Sequence, residues 1–437
     1  MDQPCVKVGI MSAPTIRFVF DTPYIFNGKE VTGAHEVAID GGKVKWLGNT
    51  YDSLEFAPVN VDSDSFELID VVIGVNFHWE RKENQKFRGS LRLIVEGEKL
   101  TAINILSIEE YLLSVISSEM SATASLELLK AHAVISRSWL LAQIEKGKTL
   151  AAEQTPYNPC TRTEEELVRW FDREDHVNFD VCADDHCQRY QGITRESTVT
   201  VRDAIRATWG QVLTYDGVLC DARFSKSCGG VFEQFEYCWE PKHYHYLQAR
   251  RDGAEPMNFP DLTIEENARE WILNAPDAFC NTSDKNILSQ VLNSYDQETT
   301  DFYRWKVEYT QDEISQLVKS RSGEDYGNIL DLVPVARGTS GRLYRLKIVG
   351  TKQSLIIGKE LEIRRTLSPS HLYSSAFVVE KVGEKNGLPE KFVLHGAGWG
   401  HGVGLCQIGA AVMGEQGYDY KQILLHYFID ADITKLY

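Results

Sequence analysis

The sequence has few basic residues relative to its acidic ones. It contains 46 Lys and Arg against 63 Asp and Glu, which gives a formal net charge of −17 at pH 7. Nucleic acids and anionic membrane surfaces are bound through basic patches, so this charge argues against both as the main partner. A glycan stays compatible, because sugars are bound by aromatic stacking and hydrogen bonds rather than by bulk charge.

Long hydrophobic runs are also missing. A membrane-spanning helix needs about 20 apolar residues in succession, and the sequence has no such run. The first residues, MDQPCV, are not a signal peptide, which leaves a trimmed leader, unconventional export or a cytoplasmic protein as explanations. Internal repeats and low-complexity segments are absent as well. The cysteine count of nine is odd, so at least one thiol is unpaired within the chain or is a ligand.

Apolar residues, by contrast, are plentiful enough for a large core. The 437 residues are 43% hydrophobic and 11% aromatic, and at about 150 residues per domain they predict two or three domains. Short alternating runs between Gly, Asn and Asp turns predict strands over most of residues 6–99. We interpret this region as a supporting sheet without chemistry of its own.

Residues 108–143 predict two helices joined by a short polar break at 121–125. Apolar residues recur at roughly helical spacing in the first helix, and small or apolar residues do so in the second. These are Tyr111, Leu112, Val115 and Ile116, then Leu129, Ala133, Ser136 and Leu140. Glu119 ends the first helix, where its carboxylate meets the negative end of the helix dipole. Burial there would raise the pKa of Glu119, which suits a general acid; a solvated surface charge is the alternative.

Four residues of metal-ligand type lie close together in the sequence: His176, Cys182, His186 and Cys187. Thiolate and imidazole ligands in a tetrahedral set suit zinc. The spacing fits no standard zinc finger, and the neighbours His186 and Cys187 would need a bent backbone to reach one ion. From the residues alone, a Cys182–Cys187 disulfide and plain buried thiols remain alternatives.

Two further segments are rich in glycine. Residues 222–230, ARFSKSCGG, end in the pair Gly229 and Gly230, which lets the backbone approach a ligand closely. Cys228 in this segment has no His–Asp pair in a recognisable relation to it, so we interpret it as a small buried residue rather than a nucleophile. Tyr237 to Glu240 follow, with Trp239 as a sugar-stacking wall or a core residue.

The segment 395–410, HGAGWGHGVGLCQIGA, has glycines at alternate positions from 398 to 404. Its backbone therefore needs positive φ angles or close approach to a partner. A dinucleotide-binding fingerprint is excluded, because Trp399 and His401 stand between the glycines and no βαβ unit surrounds them.

Three blocks resemble the family of stage II sporulation protein D and the amidase enhancers. The family has V-x-x-E-M and then P-x-x-x-x-L-E-A-L-K-A-Q-A-V-A-A-R-T-Y, where this chain has Glu119-Met120, LELLKAHAV at 126–134 and RSW at 137–139. The family's F-H-S-x-S-G-G is similar to residues 224–230, and its G-W-G-H-G-V-G-M-S-Q-x-G-A is matched almost completely from Gly398. The similarity runs from about residue 6 to residue 437. The departures are Ser121 for Pro, His132 for Gln, Trp139 for Tyr, Ser225 for His, Cys228 for Ser, Leu405 for Met and Cys406 for Ser.

The resemblance implies a function and a set of site residues. Family members of the sporulation type are lytic transglycosylases that cut peptidoglycan glycan strands, and Glu119 stands at the position of their catalytic acid. Their metal loop implies a structural zinc ion near the active cleft, held by His176, Cys182, His186 and Cys187. We expect His401 and Gln407 to hydrogen-bond the sugar and Trp399 to pack beside it. The full set of expected substrate-binding residues is Arg137, Ser225, Ser227, Gly229, Gly230, Trp399, His401 and Gln407.

The expected fold class is α+β, with a central helical pair and a Gly-rich cleft loop flanked by small antiparallel sheets. We expect a β-rich supporting region at 1–105, then catalytic helices, the zinc-type loop and the Ser/Gly loop at 106–250. An α/β accessory segment at 251–385 and a cleft segment at 386–437 that completes the core would follow. Further helices are predicted at 163–171, 200–208, 264–274 and 311–319. A second small sheet is predicted from strands at 305–309, 341–348, 355–357 and 375–379.

The favoured function is cleavage of peptidoglycan glycan strands by lytic transglycosylation between N-acetylmuramic acid and N-acetylglucosamine, with a 1,6-anhydro product. The alternative is a non-catalytic peptidoglycan-binding amidase enhancer, with a cell-wall amidase as its partner. A zinc hydrolase is a weaker interpretation, because two Cys and two His leave no open position for water. The family implies an extracytoplasmic place in the cell envelope, which the missing signal peptide does not support.

Overall fold

The computed structural model describes residues 3–73, 80–121, 123–153, 158–170, 176–184, 186–194, 198–291 and 300–437. Helices and strands are mixed along these ranges, which confirms the α+β class. The helices are α1 (Ile108–Glu119), α2 (Leu126–Glu153), α3 (Val199–Ala207), α4 (Glu265–Asn274), α5 (Lys285–Val291), α6 (Gln311–Ser322), α7 (Glu360–Thr366), α8 (Gln407–Glu415) and α9 (Tyr420–Tyr427).

The strands of the N-terminal half come mostly before α1. They are β1 (Cys5–Ala13), β2 (Thr15–Phe26), β3 (Lys29–Asp40), β4 (Lys43–Trp46), β5 (Asn49–Tyr51), β6 (Ser53–Pro58), β7 (Ser65–Ile73), β8 (Arg81–Arg88), β9 (Ser90–Glu96), β10 (Lys99–Ser107), β11 (Cys160–Arg162), β12 (Glu166–Arg169), β13 (Val181–Cys182), β14 (Gln211–Tyr215) and β15 (Val218–Leu219). Later in the chain come β16 (Phe224–Ser225), β17 (Arg304–Thr310), β18 (Ile329–Arg337), β19 (Leu343–Gly350), β20 (Ser354–Gly358), β21 (Phe377–Lys385), β22 (Leu388–Ala397), β23 (Leu405–Cys406) and β24 (Asp432–Lys435).

An eleven-stranded sheet supports the helices from the N-terminal side. Its main path is β13-β1-β10-β9-β6-β2-β3-β4-β5, and β7 pairs with both β2 and β8. The strands predicted in residues 6–99 are therefore confirmed. The short strand β13 joins this sheet in parallel with β1, through Val8 opposite Val181 and Gly9 opposite Cys182. This pairing fixes part of the predicted metal loop, residues 176–184 and 186–190, to the edge of the sheet.

The helical pair forms as the apolar spacing predicts. The Ser107 side chain caps α1 by accepting a hydrogen bond from the Glu110 N–H group, and the Ser125 hydroxyl accepts from the Leu128 N–H group at the start of α2. The predicted seams of both helices are fully buried within one large core that also includes the N-terminal strands, α8 and α9. Burial of these seams stabilises the pair and fixes where α1 ends.

The predicted helix at 163–171 is wrong. Residues 166–169 form β12, which pairs with β11 and lies parallel to β20, with Leu167 opposite Ile357. Helix-forming Glu and Leu residues suggested a helix, but backbone pairing with β20 and burial of Leu167 decide the conformation. The last residue of that prediction, Phe171, lies outside the described residues.

The predicted second sheet is divided into two. Strands β18, β19 and β20 form a five-stranded sheet with β12 and β11, whereas β17 and β21 pair on either side of β22. Strand β22 leads directly into the glycine-alternating segment, and the sequence prediction missed it. The helices predicted at 200–208, 264–274 and 311–319 are confirmed as α3, α4 and α6.

A second, smaller core packs α6 and α7 against these later sheets. In the described ranges, no helix has the length and apolar character that crossing a membrane requires.

Candidate active-site cleft

The backbone joins the two glycine-rich segments. Strands β16 and β23 pair in parallel, which places Ser225 opposite Cys406. Ser227 and Trp399 exchange backbone hydrogen bonds of 3.0 and 2.8 Å, and the Glu233 N–H group donates to the Gly402 carbonyl oxygen at 2.8 Å. The segments at 222–230 and 395–410 therefore form one unit, although they are far apart in sequence.

Arg342, which the sequence analysis did not single out, sits inside this unit. Its side chain is 1% exposed. The guanidinium group donates to the Gly400 carbonyl oxygen at 3.1 Å and to the Cys228 carbonyl oxygen at 2.9 Å. It also donates to the Ser340 hydroxyl at 3.0 Å. Arg342 therefore ties both segments to β19 through buried, charge-assisted hydrogen bonds.

The glycines of both segments serve this packing. Gly398, Gly400, Gly402 and Gly404 all have positive φ angles, between 72° and 95°. A Cβ atom on Gly402 would lie 2.4 Å from Cζ of Arg342. Gly229, expected to approach a ligand, instead approaches the protein: its Cβ would lie 2.9 Å from the Gly398 nitrogen atom, and its carbonyl oxygen accepts from Arg304 and Trp271. Gly230 packs in the same way, with Trp271 and Tyr303 around it.

Beside this unit lies a cleft of about 350 Å³ that contains the predicted acid. Its walls come from α1, α2, the metal loop, the segment at 222–240 and the glycine-alternating segment. The lining residues are Glu119, Trp139, Gln143, Asp180, Val181, His186, Cys187, Gln188, Arg223, Phe224, Trp239, Leu361 and His401. The structure thus brings Glu119 and His401 to one cleft, as expected for a site formed by the first and third sequence blocks.

Glu119 is the last residue of α1 and is half-buried. The Arg189 N–H group donates to its Oε1 atom at 3.2 Å. The chain around Arg189 is itself fixed, because the Tyr190 N–H group donates to the Ala183 carbonyl oxygen and the Gln188 amide oxygen accepts from the Tyr111 hydroxyl of α1. The carboxyl group is therefore held by a helix on one side and by the metal loop on the other.

A cationic and aromatic wall faces the cleft. Asp221 holds the Arg223 guanidinium group through two hydrogen bonds of 2.7 and 2.9 Å. This guanidinium lies 4.2 Å from the centroid of the Trp239 ring, within the range of a cation–π interaction. The His401 ring packs edge-on against Trp239, with centroids 4.8 Å apart. Trp239 is 8% exposed, so most of its surface belongs to the protein and only its margin meets the cleft.

His401 is held in its neutral form. Burial and the nearby Arg223 lower the pKa of His401 well below its usual value. The Val403 N–H group donates to Nδ1 of the ring at 3.0 Å, so the proton is on Nε2, and the ring also hydrogen-bonds the backbone of Phe224. Both ring nitrogens therefore have partners inside the protein. His401 lines the wall of the cleft, and its hydrogen bond to a sugar stays a prediction.

Two of the expected substrate contacts lie in the interior. Arg137 is fully buried and forms two hydrogen bonds of 2.8 Å with Glu109, so it joins α1 to α2. Gln407 is 3% exposed, and its amide nitrogen donates to Nε2 of the buried His132 at 3.1 Å. The Nδ1–H group of His132 then meets the Ser136 hydroxyl at 3.2 Å. Both side chains have partners that position the helices.

The remaining expected contacts also pack within the protein. Trp399 lies between Phe302 and Tyr373, with ring centroids 4.7 and 4.5 Å away. The ring therefore packs against protein side chains, and its packing beside a sugar stays a prediction. Ser225 is 7% exposed and Ser227 is 0% exposed, and neither hydroxyl has a hydrogen-bond partner among the described residues.

The predicted metal ligands come together at the edge of the cleft. One ligand atom from each of His176, Cys182, His186 and Cys187 lies within 4.8 Å of all the others. Sγ of Cys187 lies 3.5 Å from Nε2 of His176 and 3.5 Å from Nδ1 of His186, and Sγ of Cys182 lies 3.8 Å from Nδ1 of His186. Tetrahedral zinc separates a sulfur and a nitrogen ligand by about 3.5 Å, so the donor set fits such an ion.

The backbone and the charges of the metal loop agree with this fit. The Cys187 N–H group donates to the Asp184 carbonyl oxygen at 3.0 Å, which supplies the bend that the neighbours His186 and Cys187 require. Hydrogen bonds from Cys187, and then from His176 and His186, lower the pKa of Cys182 well below its usual value. The thiolate, which is the form that binds metals, is therefore favoured at Cys182.

The sequence analysis missed several side chains that line the cleft. Arg223 stands in the segment at 222–230 without a predicted role, Asp180 has no motif, and Trp139 was noted only as a departure from the family pattern. The Asp180 carboxylate accepts from the Lys7 N–H group at 2.8 Å, so β1 positions it. The sequence does contain a signal for Arg223, because it stands two residues after Asp221 and shortly before the glycine pair. An Asp and an Arg this close together in a loop can form the bidentate ion pair that the structure shows.

Comparison with known proteins adds two family matches. The model of a family described as stage II sporulation protein matches residues 96–215, which include Glu119 and the metal loop. The model of a domain of unknown function, DUF8618, matches residues 233–404.

Individual relatives extend this similarity along the chain. A protein of Brachyspira hyodysenteriae is 25% identical over 80% of this chain and 72% of its own. The amidase enhancer of Bacillus subtilis is 25% identical over 73% of this chain, but the match spans only 40% of the enhancer. Stage II sporulation protein D of Bacillus amyloliquefaciens is 20% identical over 76% of each chain. Together with the three sequence blocks, these matches show that residues 96–215 carry a domain of the stage II sporulation protein family and that most of the chain is similar to stage II sporulation protein D and to the amidase enhancer.

Proposed function

We propose that this protein cleaves peptidoglycan glycan strands by lytic transglycosylation, with Glu119 as acid and then base, outside the cytoplasm in the cell envelope. The observation that carries the proposal is the position of Glu119. Its carboxyl group lines a cleft with the side chains of Trp139, Arg223 and Trp239, and the Arg189 N–H group orients it. Aromatic and hydrogen-bonding walls suit a glycan, and about 350 Å³ lies within the size range of ligand pockets.

One carboxyl group is enough for this reaction. Glu119 donates its proton to the glycosidic oxygen between N-acetylmuramic acid and N-acetylglucosamine, and the bond from C1 to that oxygen breaks. The carboxylate then takes the proton of the muramoyl 6-hydroxyl as its oxygen bonds to C1. The product carries a 1,6-anhydro ring, no water is consumed, and Glu119 returns to its protonated form. Ordinary glycosidases need a second carboxylate for water or for a covalent intermediate.

Zinc fits the proposal as a structural ion. His176, Cys182, His186 and Cys187 would hold it, and its chemistry would be to cross-link the loop that carries Arg189. Four protein ligands complete a tetrahedral site, so no position is open for a water nucleophile. The metal loop would therefore act on Glu119 through position, since the Arg189 N–H group reaches the Glu119 carboxylate from this loop.

A second candidate function follows from one relative, which is named an amidase enhancer. In this alternative, the protein keeps the glycan cleft, binds peptidoglycan without turnover and stimulates a cell-wall amidase. The match covers 40% of that relative, so the alternative concerns the shared part alone.

Mass spectrometry of digested peptidoglycan distinguishes these functions. Purified glycan strands incubated with the protein should yield fragments that end in 1,6-anhydro-N-acetylmuramic acid. Reducing ends would instead indicate a hydrolase. The absence of any product, combined with faster digestion by an added amidase, would contradict the transglycosylase and favour the enhancer.

A further inference from the structure

A second cluster of potential metal ligands lies away from the cleft and is completely enclosed. It consists of Cys228, Asp252, Cys280 and Cys406, each at most 2% exposed. One ligand atom from each lies within 4.8 Å of all the others. The four residues come from separate parts of the chain, so the fold, and not a short motif, brings them together.

The distances inside the cluster agree with tetrahedral coordination. The Sγ atoms of Cys228 and Cys280 are 3.6 Å apart, and Sγ of Cys228 is 3.5 Å from Oδ2 of Asp252. With zinc–sulfur bonds of about 2.3 Å and a zinc–oxygen bond of about 2.0 Å, a tetrahedron separates two sulfurs by about 3.8 Å and a sulfur from an oxygen by about 3.5 Å. These two distances match a single tetrahedral ion, and all four donor atoms lie within 4.8 Å of one another. A cluster of several iron atoms would need them farther apart.

Neighbouring groups orient the ligands. The Tyr427 hydroxyl donates to Oδ1 of Asp252 at 2.8 Å, and the Cys280 N–H group donates to Oδ2 at 3.1 Å. The Cys228 N–H group donates to Sγ of Cys406 at 3.2 Å. Such outer hydrogen bonds hold ligating side chains in place at metal sites. Gly409 leaves the space for the carboxylate, because a Cβ atom there would lie 2.4 Å from Oδ2 of Asp252.

The charges of the four ligands also suit a bound cation. Three thiolates and one carboxylate around Zn²⁺ give the site a net charge of −2, which is common for thiolate-rich zinc sites. Cys406 is the N-cap residue of α8, where the helix dipole favours a thiolate. Nε2 of His426 lies 3.4 Å from Oδ1 of Asp252.

We propose that Cys228, Asp252, Cys280 and Cys406 form a second zinc site, closed and structural, at the centre of the glycine-rich unit. The ion would cross-link the loop before Gly229, the turn at 252, the segment at 280 and the start of α8. Cys406 is the last residue of β23, so the site would stabilise the pairing of β16 with β23. Because all four positions are protein ligands and the site is buried, it has no catalytic role. This inference does not depend on the proposed glycan chemistry.

Counting metal ions tests the proposal. Zinc per chain is measured by mass spectrometry in wild type and in Cys280→Ser, purified in parallel, and the expected loss is one ion per chain. The same loss should occur when Cys280→Ser is added to Cys182→Ser/Cys187→Ser, so the outcome does not depend on whether the first cluster binds zinc. Cys220→Ser is the matched control, because Cys220 is equally buried but lies outside both clusters, and its zinc content should equal that of wild type.

A second measurement covers the case in which Cys280→Ser does not fold. X-ray absorption at the zinc edge of the Cys182→Ser/Cys187→Ser protein should show three sulfur ligands near 2.3 Å and one oxygen ligand. Equal zinc in Cys280→Ser and wild type would overturn the proposal. A Cys228–Cys280 disulfide in folded, zinc-free protein, or a zinc environment without sulfur in the double variant, would overturn it as well.

Discussion

At the residue scale, the buried ion pair of Arg137 and Glu109 determines how α1 lies on α2. Both side chains are almost completely enclosed, and Glu109 also accepts from the Tyr437 hydroxyl at 2.7 Å. The sequence pattern could mark Arg137 as special but could not show whether it faces substrate or core. Its partner Glu109 comes from the first helix, and only the packing of the two helices joins them.

Arg137→Ala should therefore destabilise the protein by about 3–5 kcal/mol, because it leaves the Glu109 carboxylate buried without its cation. Urea unfolding measures this change. Arg206→Ala is the control, since Arg206 is 82% exposed in its pair with Asp203, and exposed pairs contribute about 0–1 kcal/mol. A loss of glycan binding with unchanged stability in Arg137→Ala would restore the role in substrate contact that the sequence suggested.

His132 makes stability depend on pH. Burial first, and then the charge of Lys226, lower the pKa of His132 to about 3 from about 6.5 in an unfolded chain. Below pH 6.5 the unfolded state therefore binds a proton at His132 that the folded state does not bind. The free energy of unfolding falls as the pH decreases below 6.5, and this fall levels off near pH 3. At pH 5 this single group costs about 2 kcal/mol relative to neutral pH.

His132→Gln introduces the residue that the family usually has at this position, and it keeps a side chain able to hydrogen-bond Gln407. We expect the fall in free energy of unfolding between pH 7 and pH 5 to be about 2 kcal/mol smaller in this variant. Urea unfolding at both pH values measures it, with exposed His243→Gln as the control. Parallel pH profiles for wild type and His132→Gln would contradict a neutral His132.

At the scale of elements, the glycine-alternating segment is a packing device around Arg342. The alternation of glycines predicted positive φ angles or close approach, and the structure shows both. The sequence could not identify the neighbour, because Arg342 lies just before β19, in a stretch that has no motif. For the same reason, Gly229 and Gly230 were expected to meet a ligand, whereas they meet the protein itself.

Gly402→Ala tests the close approach of the Gly402 backbone to Arg342 separately from the strain of a positive φ angle. Gly402 and Gly417 both have positive φ angles, 77° and 89°, so an alanine at either position is strained in the same way. At Gly417 a Cβ atom would meet nothing within 4 Å, but at Gly402 it would lie 2.4 Å from Arg342. Gly402→Ala should lower the free energy of unfolding by about 1–3 kcal/mol more than Gly417→Ala. Equal losses would show that Arg342 moves away without cost.

We attribute the stability of the folded metal loop to a bound zinc ion. Cys182→Ser, or treatment with a strong chelator, should lower the melting temperature, because a structural metal contributes its binding free energy to folding. Cys160→Ser is the control, since Cys160 is partly exposed and lies outside both clusters. Thermal melts with and without chelator provide the measurement. A Cys182–Cys187 disulfide in stable, metal-free protein would contradict zinc at this loop.

At the scale of the whole molecule, the sequence predicted the elements better than their arrangement. The α+β class, the helical pair and the N-terminal strands follow from local periodicity, which a single sequence displays. The helix predicted at 163–171 and the single second sheet were wrong because β12 and β22 depend on pairing with distant strands. A segment that becomes a strand by pairing with distant strands need not show the alternation of apolar and polar residues that predicts a strand.

The candidate site also combines residues that local motifs predict with residues that only the packing of the chain brings together. Glu119, His401 and the four metal-loop residues were named from motifs. Glu119, His401, His186 and Cys187 line one cleft, and His176 and Cys182 cluster with the latter two. Arg223 and Asp180 line the same cleft without a motif. The cluster around Asp252 was missed for a comparable reason, because its four members lie far apart in the sequence.

Asp180 makes the central claim sharply testable. Among the described residues, two carboxylates line the cleft, Glu119 and Asp180, and the proposed reaction needs only one. The measurement is the rate at which 1,6-anhydro ends form from purified glycan strands with wild type, Glu119→Gln and Asp180→Asn. Glu119→Gln keeps the shape of the side chain and removes its transferable proton, so the rate should fall about 10²–10⁴-fold while the melting temperature stays unchanged. Asp180→Asn should keep most of the wild-type rate. Wild-type turnover in Glu119→Gln, or a comparable loss in both variants with reducing ends as the product, would contradict catalysis by Glu119 alone.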